Sequence, residues 1–140
     1  MNSTPKNQPE TALVENPVNH HKQTALHFLK LIETGNIEQV YRMYTASNGK
    51  HHNPYFGPGF PALQKGMQEN HVQFPDMRMS MKHVIGEGDM VAVHSHIVLR
   101  PGEAGVAAVH IFRFEGDQIV EIWDCGEPVP ADSTNPDGMF

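Results

Sequence analysis

Ten of the 140 residues are histidines and only one is a cysteine, so acid–base or metal chemistry falls to imidazoles and carboxylates. The run MVAVHSHIVL, residues 90–99, sets His94 and His96 two positions apart in an otherwise apolar stretch. At strand spacing both lie on one face, roughly 6.6 Å apart along the chain. Ala92 and Val98 share that face, whereas Val91, Val93, Ser95 and Ile97 take the other. In the next apolar run Val106, Ala108, His110, Phe112 and Phe114 share a face. A hairpin register that sets His110 opposite His94 or His96 brings three imidazoles within one cross-strand spacing. A register shifted by one residue sends His110 to the opposite face, and the turn sequence leaves the choice open. With His52 of HHNPYF aimed inward from a short strand, the set becomes His52, His94, His96 and His110. Four such imidazoles suit one zinc, nickel, copper or iron ion.

Asp124 is the second centre of interest. In QIVEIWDC, residues 118–125, it alternates with Val120 and Ile122, and Trp123 and Cys125 point the other way. A carboxylate well inside a strand is costly unless it finds a partner. Whether Asp124 meets His110 depends on the EGDQ turn. A two-residue Gly116–Asp117 loop, slightly favoured by Gly-Asp chemistry, pairs His110 with Trp123 and separates the two. A three-residue loop with Asp117 left-handed brings Asp124 to the side of His110. If they meet, Asp124 can act as a general base. Neutral His110, with His94 or His52, can then donate to a developing enolate oxygen. Tyr55, Phe112, Trp123 and Met79 are the candidate pocket walls. Blander roles compete: a structural carboxylate at Asp124, satisfied core or dimer-face histidines at 94 and 96, methionines as core filler, an Arg113–Glu121 salt bridge, and an inert buried thiol at Cys125.

The elements that must position these groups read as α+β. Residues 1–15 are polar, with two prolines and no period, and predict a mobile tail or arm. Asn16 as N-cap and Pro17 at the first helical position open a helix closed by Gly35. Ala25, Phe28, Leu29 and Ile32 line its apolar face. Asn36 caps a shorter helix through Ile37, Val40 and Tyr41. A short extended stretch is expected around 51–56, then a third helix over 61–73. After Pro75 the period becomes two: Met77, Met79, Met81 and His83 predict one face of a strand. Further strands are expected over 89–99, 105–114 and 118–125, punctuated by glycine turns. The domain spans 16–126, with an extended tail over 127–140. Helices followed by hairpin-linked strands predict helices packed on one face of a curved, mainly antiparallel sheet, with a pocket between.

Composition bounds the function. Ten Lys and Arg against sixteen Asp and Glu give a net charge of −6, which argues against a nucleic-acid footprint. One cysteine leaves no intrachain disulfide framework and no Cys-rich zinc site. No apolar run approaches a membrane span and no signal pattern opens the chain. A cytoplasmic protein with no membrane partner is the expectation.

The segments HHNPYF, FPDMRMSMKHVIGEGDMVAVHSHI, IFRFEGDQIVEIWD and NPDGMF resemble the SnoaL-like branch of the NTF2-like superfamily. The likeness is greatest to small bacterial proteins described as SnoaL-like aldol-condensation enzymes, and it covers roughly residues 17–140. The resemblance implies the α+β cone and a homodimer through the outer sheet face. In polyketide cyclases of this superfamily a strand aspartate removes an acidic C–H proton, and a histidine fourteen positions earlier lies near it. His110 and Asp124 reproduce that spacing, which implies the three-residue type of turn. His110 stands where close relatives are expected to carry aspartate.

The expectation is thus an enzyme acting on a small carbonyl compound by aldol cyclisation, isomerisation or elimination, with no cofactor. A histidine-ligated metalloenzyme holding one transition metal, with hydrolytic or oxygen chemistry, and a non-catalytic small-ligand binder are the alternatives.

Overall fold

The computed structural model describes residues 16–140; the tail expected over 1–15 lies outside the described residues. The first helix, α1, spans Pro17–Glu33. The Asn16 side chain accepts the Val18 N–H at 3.2 Å, the capping role its type suits. Its apolar face, Ala25, Phe28, Leu29 and Ile32, is buried. The helix ends in a Schellman motif: Asn36 N–H donates to the Leu31 carbonyl at 2.9 Å and Gly35 N–H to Ile32 at 3.2 Å. Gly35 takes a φ of 84° there, which a side chain would resist. α2 follows at once over Ile37–Tyr44, burying Ile37, Val40 and Tyr41.

The chain next forms β1, Thr45–His51, earlier than the extended stretch expected over 51–56. Its sequence, TASNGKH, carries little apolar signal because the strand is made by pairing in parallel with the last strand. α3 covers Phe60–Gln73. The remaining strands are β2 (Arg78–Glu87), β3 (Met90–Val98), β4 (Val106–Glu115) and β5 (Gln118–Pro128). One five-stranded sheet results, ordered β1-β5-β4-β3-β2, antiparallel except for the β1–β5 pair. The helices cover its inner face, where Phe28, Tyr41, Val91, Val93, Phe112, Phe114 and Ile122 form one core. This is the α+β cone. Beyond β5, the Val129 N–H donates to the Gly105 carbonyl, and Phe140 reaches the outer sheet face over His96.

Two bulges redirect side chains that strict alternation would have placed elsewhere. Between Met81 and His83 the β2–β3 register shifts at Lys82. Met79 and Met81 therefore face inward, but His83 turns outward and Val84 takes the core side. Between Arg113 and Phe114 the β4–β5 register shifts as well, leaving Val120 as the extra residue. That bulge explains why Ile119, Val120, Glu121 and Ile122 are buried in succession. Glu33 ties α1 to the start of β2, accepting from Lys30 Nζ and the Met79 N–H at 2.6 Å each. Burial pushes its carboxyl up, but those bonds and the charges of Lys30 and Arg78 outweigh it, leaving it below the usual 4.5.

Candidate functional site

The β4–β5 hairpin builds the site. Glu115 pairs with Gln118, so the loop is the two-residue Gly116–Asp117 turn, with φ 57° at Gly116 and no positive φ at Asp117. Alone that turn would set His110 against Trp123. The extra residue at Val120 moves the register by one, and His110 pairs directly with Asp124. The turn is thus the two-residue type that Gly-Asp chemistry favours, and the His110–Asp124 pairing that the resemblance implied through a three-residue turn is reached instead through the bulge. His110 Nε2 lies 3.5 Å from Asp124 Oδ1, longer than an N–H···O bond of 2.7–3.2 Å.

Both side chains line a cavity of about 380 Å³ between sheet and helices. Its walls are mostly apolar: Ile32, Phe56, Met67, Phe74, Met77, Met79, Ile97 and Leu99. Burial pushes the His110 imidazole below its usual 6.5, and the opposing pull of Asp124 does not offset it. His110 is therefore neutral near pH 7. An ionised carboxylate only accepts, so it favours the tautomer with the proton on Nε2. His110 Nδ1 is buried without a hydrogen-bond partner. The Tyr41 phenol is buried and is pushed above its usual range by burial and then by the charge of Asp124.

Asp124 is held by a residue that sequence reasoning missed. Asn53 Nδ2 donates to Asp124 Oδ2 at 2.7 Å. The Asn53 Oδ1 accepts the Tyr55 N–H at 3.0 Å, an Asx turn that leaves only the NH₂ to face the carboxylate. His51 secures the same loop. Its Nδ1 accepts the Asn53 N–H at 3.1 Å, so its Nε2–H donates to the Gly57 carbonyl at 2.6 Å. Phe56 packs where a Cβ on Gly66 would collide with its ring. The N-P-Y sequence signals the Asx turn; nothing local signals that the free end of Asn53 meets Asp124.

The four-histidine set does not come together. Val93 pairs with His110 and His94 with Val109, the register that sends His94 and His96 to the outer face. There His94 Nδ1 lies 3.0 Å from His83 Nδ1, and His96 Nε2–H donates to the Ala104 carbonyl at 2.7 Å. His52 also lies on the outer face, stacked on Trp123 with ring centroids 5.0 Å apart. It donates to Glu121 Oε2 at 2.6 Å. That bond, with Arg113 and Lys50, holds the Glu121 carboxyl below its usual value despite burial. Among the described residues no three His, Cys, Asp or Glu side chains gather to hold a metal ion. The residues expected to ligate a transition metal therefore do not fit one.

The expected pocket walls divide. Met79 lines the cavity and Tyr55, 88% exposed, stands at its mouth. Phe112 is fully buried in the core behind His110. Trp123, opposite in alternation to Asp124, is outside the pocket. Cys125 is exposed, not buried. The Arg113–Glu121 pair forms across the hairpin at 3.1 Å.

The model of the SnoaL-like domain family matches residues 25–122, which includes the second half of α1, α2, α3, β1 to β4 and the start of β5, ending just before Asp124. The chain belongs to the SnoaL-like domain family. No curated protein matches it. Among solved structures, a SnoaL-like protein of unknown function from Burkholderia thailandensis superposes with a TM-score of 0.65 at 15% identity, covering 77% of this chain and 94% of that one. A protein provisionally named a ketosteroid isomerase from Kribbella flavida gives 0.68 at 13% identity, covering 84% and 85%. A protein provisionally named a polyketide cyclase from Bacillus cereus gives 0.67 at 17% identity, covering 78% and 75%. At these identities the likeness shows the shared fold. Among the described residues of this SnoaL-like chain, no helix is long and apolar enough to cross a membrane.

Proposed function

We propose that this SnoaL-like protein is an enzyme that removes a proton from the carbon beside a carbonyl group. The direct cross-strand pairing of Asp124 with His110 on the wall of an apolar cavity carries this reading. Asp124 Oδ1 takes the proton, and the C–H electron pair becomes the new C=C bond as charge moves to the carbonyl oxygen. The Nε2–H of neutral His110, not engaged by Asp124 at 3.5 Å, donates to that oxygen as its charge develops. Asn53 occupies Oδ2 and so leaves Oδ1 as the basic atom. The enolate carbon can then attack a second carbonyl of the same molecule, take its proton back at another carbon, or expel a neighbouring group. These are the aldol, isomerisation and elimination outcomes, and all begin with the same step.

The test is deuterium exchange into the α-position of 2-tetralone in D₂O, followed by proton NMR. Wild-type protein is expected to accelerate exchange over buffer, and Asp124→Asn to lose at least about a hundredfold of that rate with an unchanged circular dichroism spectrum. Exchange at the wild-type rate in Asp124→Asn would overturn the assignment of the base. A wild-type protein that binds 2-tetralone without exchanging it would favour the non-catalytic carrier.

A further inference from the structure

The cavity has a second polar pole that the proton-transfer step does not use. Asn70 and His71, on α3, line the helical wall of the same cavity whose sheet wall carries Asp124 and His110. His71 Nδ1 is buried with no hydrogen-bond partner. The Asn70 amide has no partner among the described residues either. A buried polar atom without a partner calls for an explanation, and a bound ligand that completes it is one. The His71 ring is also fixed in place. It packs directly on Gly35, so closely that any Cβ there would collide with it, and Gly35 is itself held at positive φ by the Schellman motif. The Nε2 edge of the ring is the part that lies against Gly35, which leaves Nδ1 as the buried nitrogen without a partner.

Charge narrows the ligand further. None of the lining residues is Lys or Arg, and Asp124 is the one formal negative charge among them. The Arg100 guanidinium lies over the ring of Phe74, a lining residue, at 4.7 Å, outside the cavity lining and paired with Glu103. A substrate carboxylate or phosphate would face Asp124 with no cation to compensate it. At about 30 Å³ of liquid volume per water, the cavity of about 380 Å³ holds roughly a dozen water-sized groups. That is room for a compound of one or two rings, and Met67, Met79, Ile97 and Leu99 supply an apolar, partly pliable bed for it.

We propose that Asn70 and His71 bind a hydroxyl or carbonyl oxygen remote from the reacting centre, so that the substrate is an uncharged one- or two-ring ketone carrying a second hydrogen-bonding group. This rests on the reading of Asp124 as the base. The test compares 2-tetralone, 6-hydroxy-2-tetralone and 6-carboxy-2-tetralone, measuring exchange kinetics together with calorimetric binding. In wild-type protein the hydroxyl is expected to lower KM about tenfold, the equivalent of one net hydrogen bond, with kcat changed less than twofold. The carboxyl should raise KM at least tenfold. His71→Phe and Asn70→Leu should each shrink the hydroxyl preference, read as the ratio of KM values for 2-tetralone and 6-hydroxy-2-tetralone, to within about threefold, and His71→Gln should retain part of it. Should His71→Phe fail to fold, Asn70→Leu and His71→Gln decide the matter. Equal binding of the three compounds, or an undiminished hydroxyl preference in the variants, would overturn the proposal. Absent exchange with any compound would instead count against Asp124 as base, and the calorimetric preferences would still test the second pole.

Discussion

Replacing Asn53 with leucine removes the group that holds Asp124 while nearly conserving shape. Two hydrogen bonds are lost: Nδ2–H to Asp124 at 2.7 Å and the Tyr55 N–H to Oδ1 at 3.0 Å. A bond to a charged acceptor contributes about 1.5–3 kcal/mol, a neutral one about 1 kcal/mol. The Asp124 side chain is 27% exposed, so water replaces part of what is lost, and both figures belong at their low ends. The expected destabilisation is about 2 kcal/mol, which for a domain of this size lowers Tm by roughly 6–8 °C. Urea unfolding followed by the fluorescence of Trp123, the one tryptophan, reports it directly. Asp124→Asn keeps an acceptor oxygen for Asn53 and should cost less. The decisive measurement is the double-mutant cycle of Asn53→Leu with Asp124→Leu. The variants share one bond, so their effects should fall short of additivity by about 1–2 kcal/mol. A coupling below about 0.3 kcal/mol, the usual scatter between independent sites, would refute the claim that Asn53 acts on Asp124.

His110 should make stability depend on pH. Its folded-state proton affinity is lowered by burial, so on acidification the unfolded chain takes up a proton near pH 6.5 before the folded chain does. That contribution to stability is complete above about pH 7 and is lost as pH falls through 6.5 toward the folded value. The urea midpoint of His110→Gln should therefore fall less than that of wild type between pH 7.5 and 5.5, and parallel declines would contradict the assignment. Gly35→Ala forces a side chain into φ 84° and into the His71 ring. A loss of at least about 1–2 kcal/mol from the backbone alone, together with a weakened preference for 6-hydroxy-2-tetralone, is expected. A variant of wild-type stability and preference would show that His71 is not held by Gly35.

The local elements were legible because they are written in near neighbours. Asn16 and Pro17 start α1, Gly35 ends it, and its buried stripe follows from a 3.6-residue period. β3, β4 and β5 are readable from apolar runs and glycine turns, and with the helices they suffice for the α+β architecture. β1 was displaced because TASNGKH contains almost nothing that marks a strand; its partner is β5, just over seventy residues away in sequence.

The site was legible only in part, because it depends on register. Side chains alternate with period two, so one residue of slip exchanges the faces of a strand. The β3–β4 pairing has a register that separates His94 and His96 from His110. The Val120 bulge sets one that joins His110 to Asp124 even though the Gly116–Asp117 turn alone would part them. Neither offset is encoded in a local propensity. Each is selected by which pairing buries Phe112, Phe114, Ile119 and Ile122 against the helices. The sequence by itself determined which residues could do chemistry and the elements that carry them. Tertiary packing decided which of them meet, because the choice between two registers lies in the burial of distant apolar side chains and not in the turns.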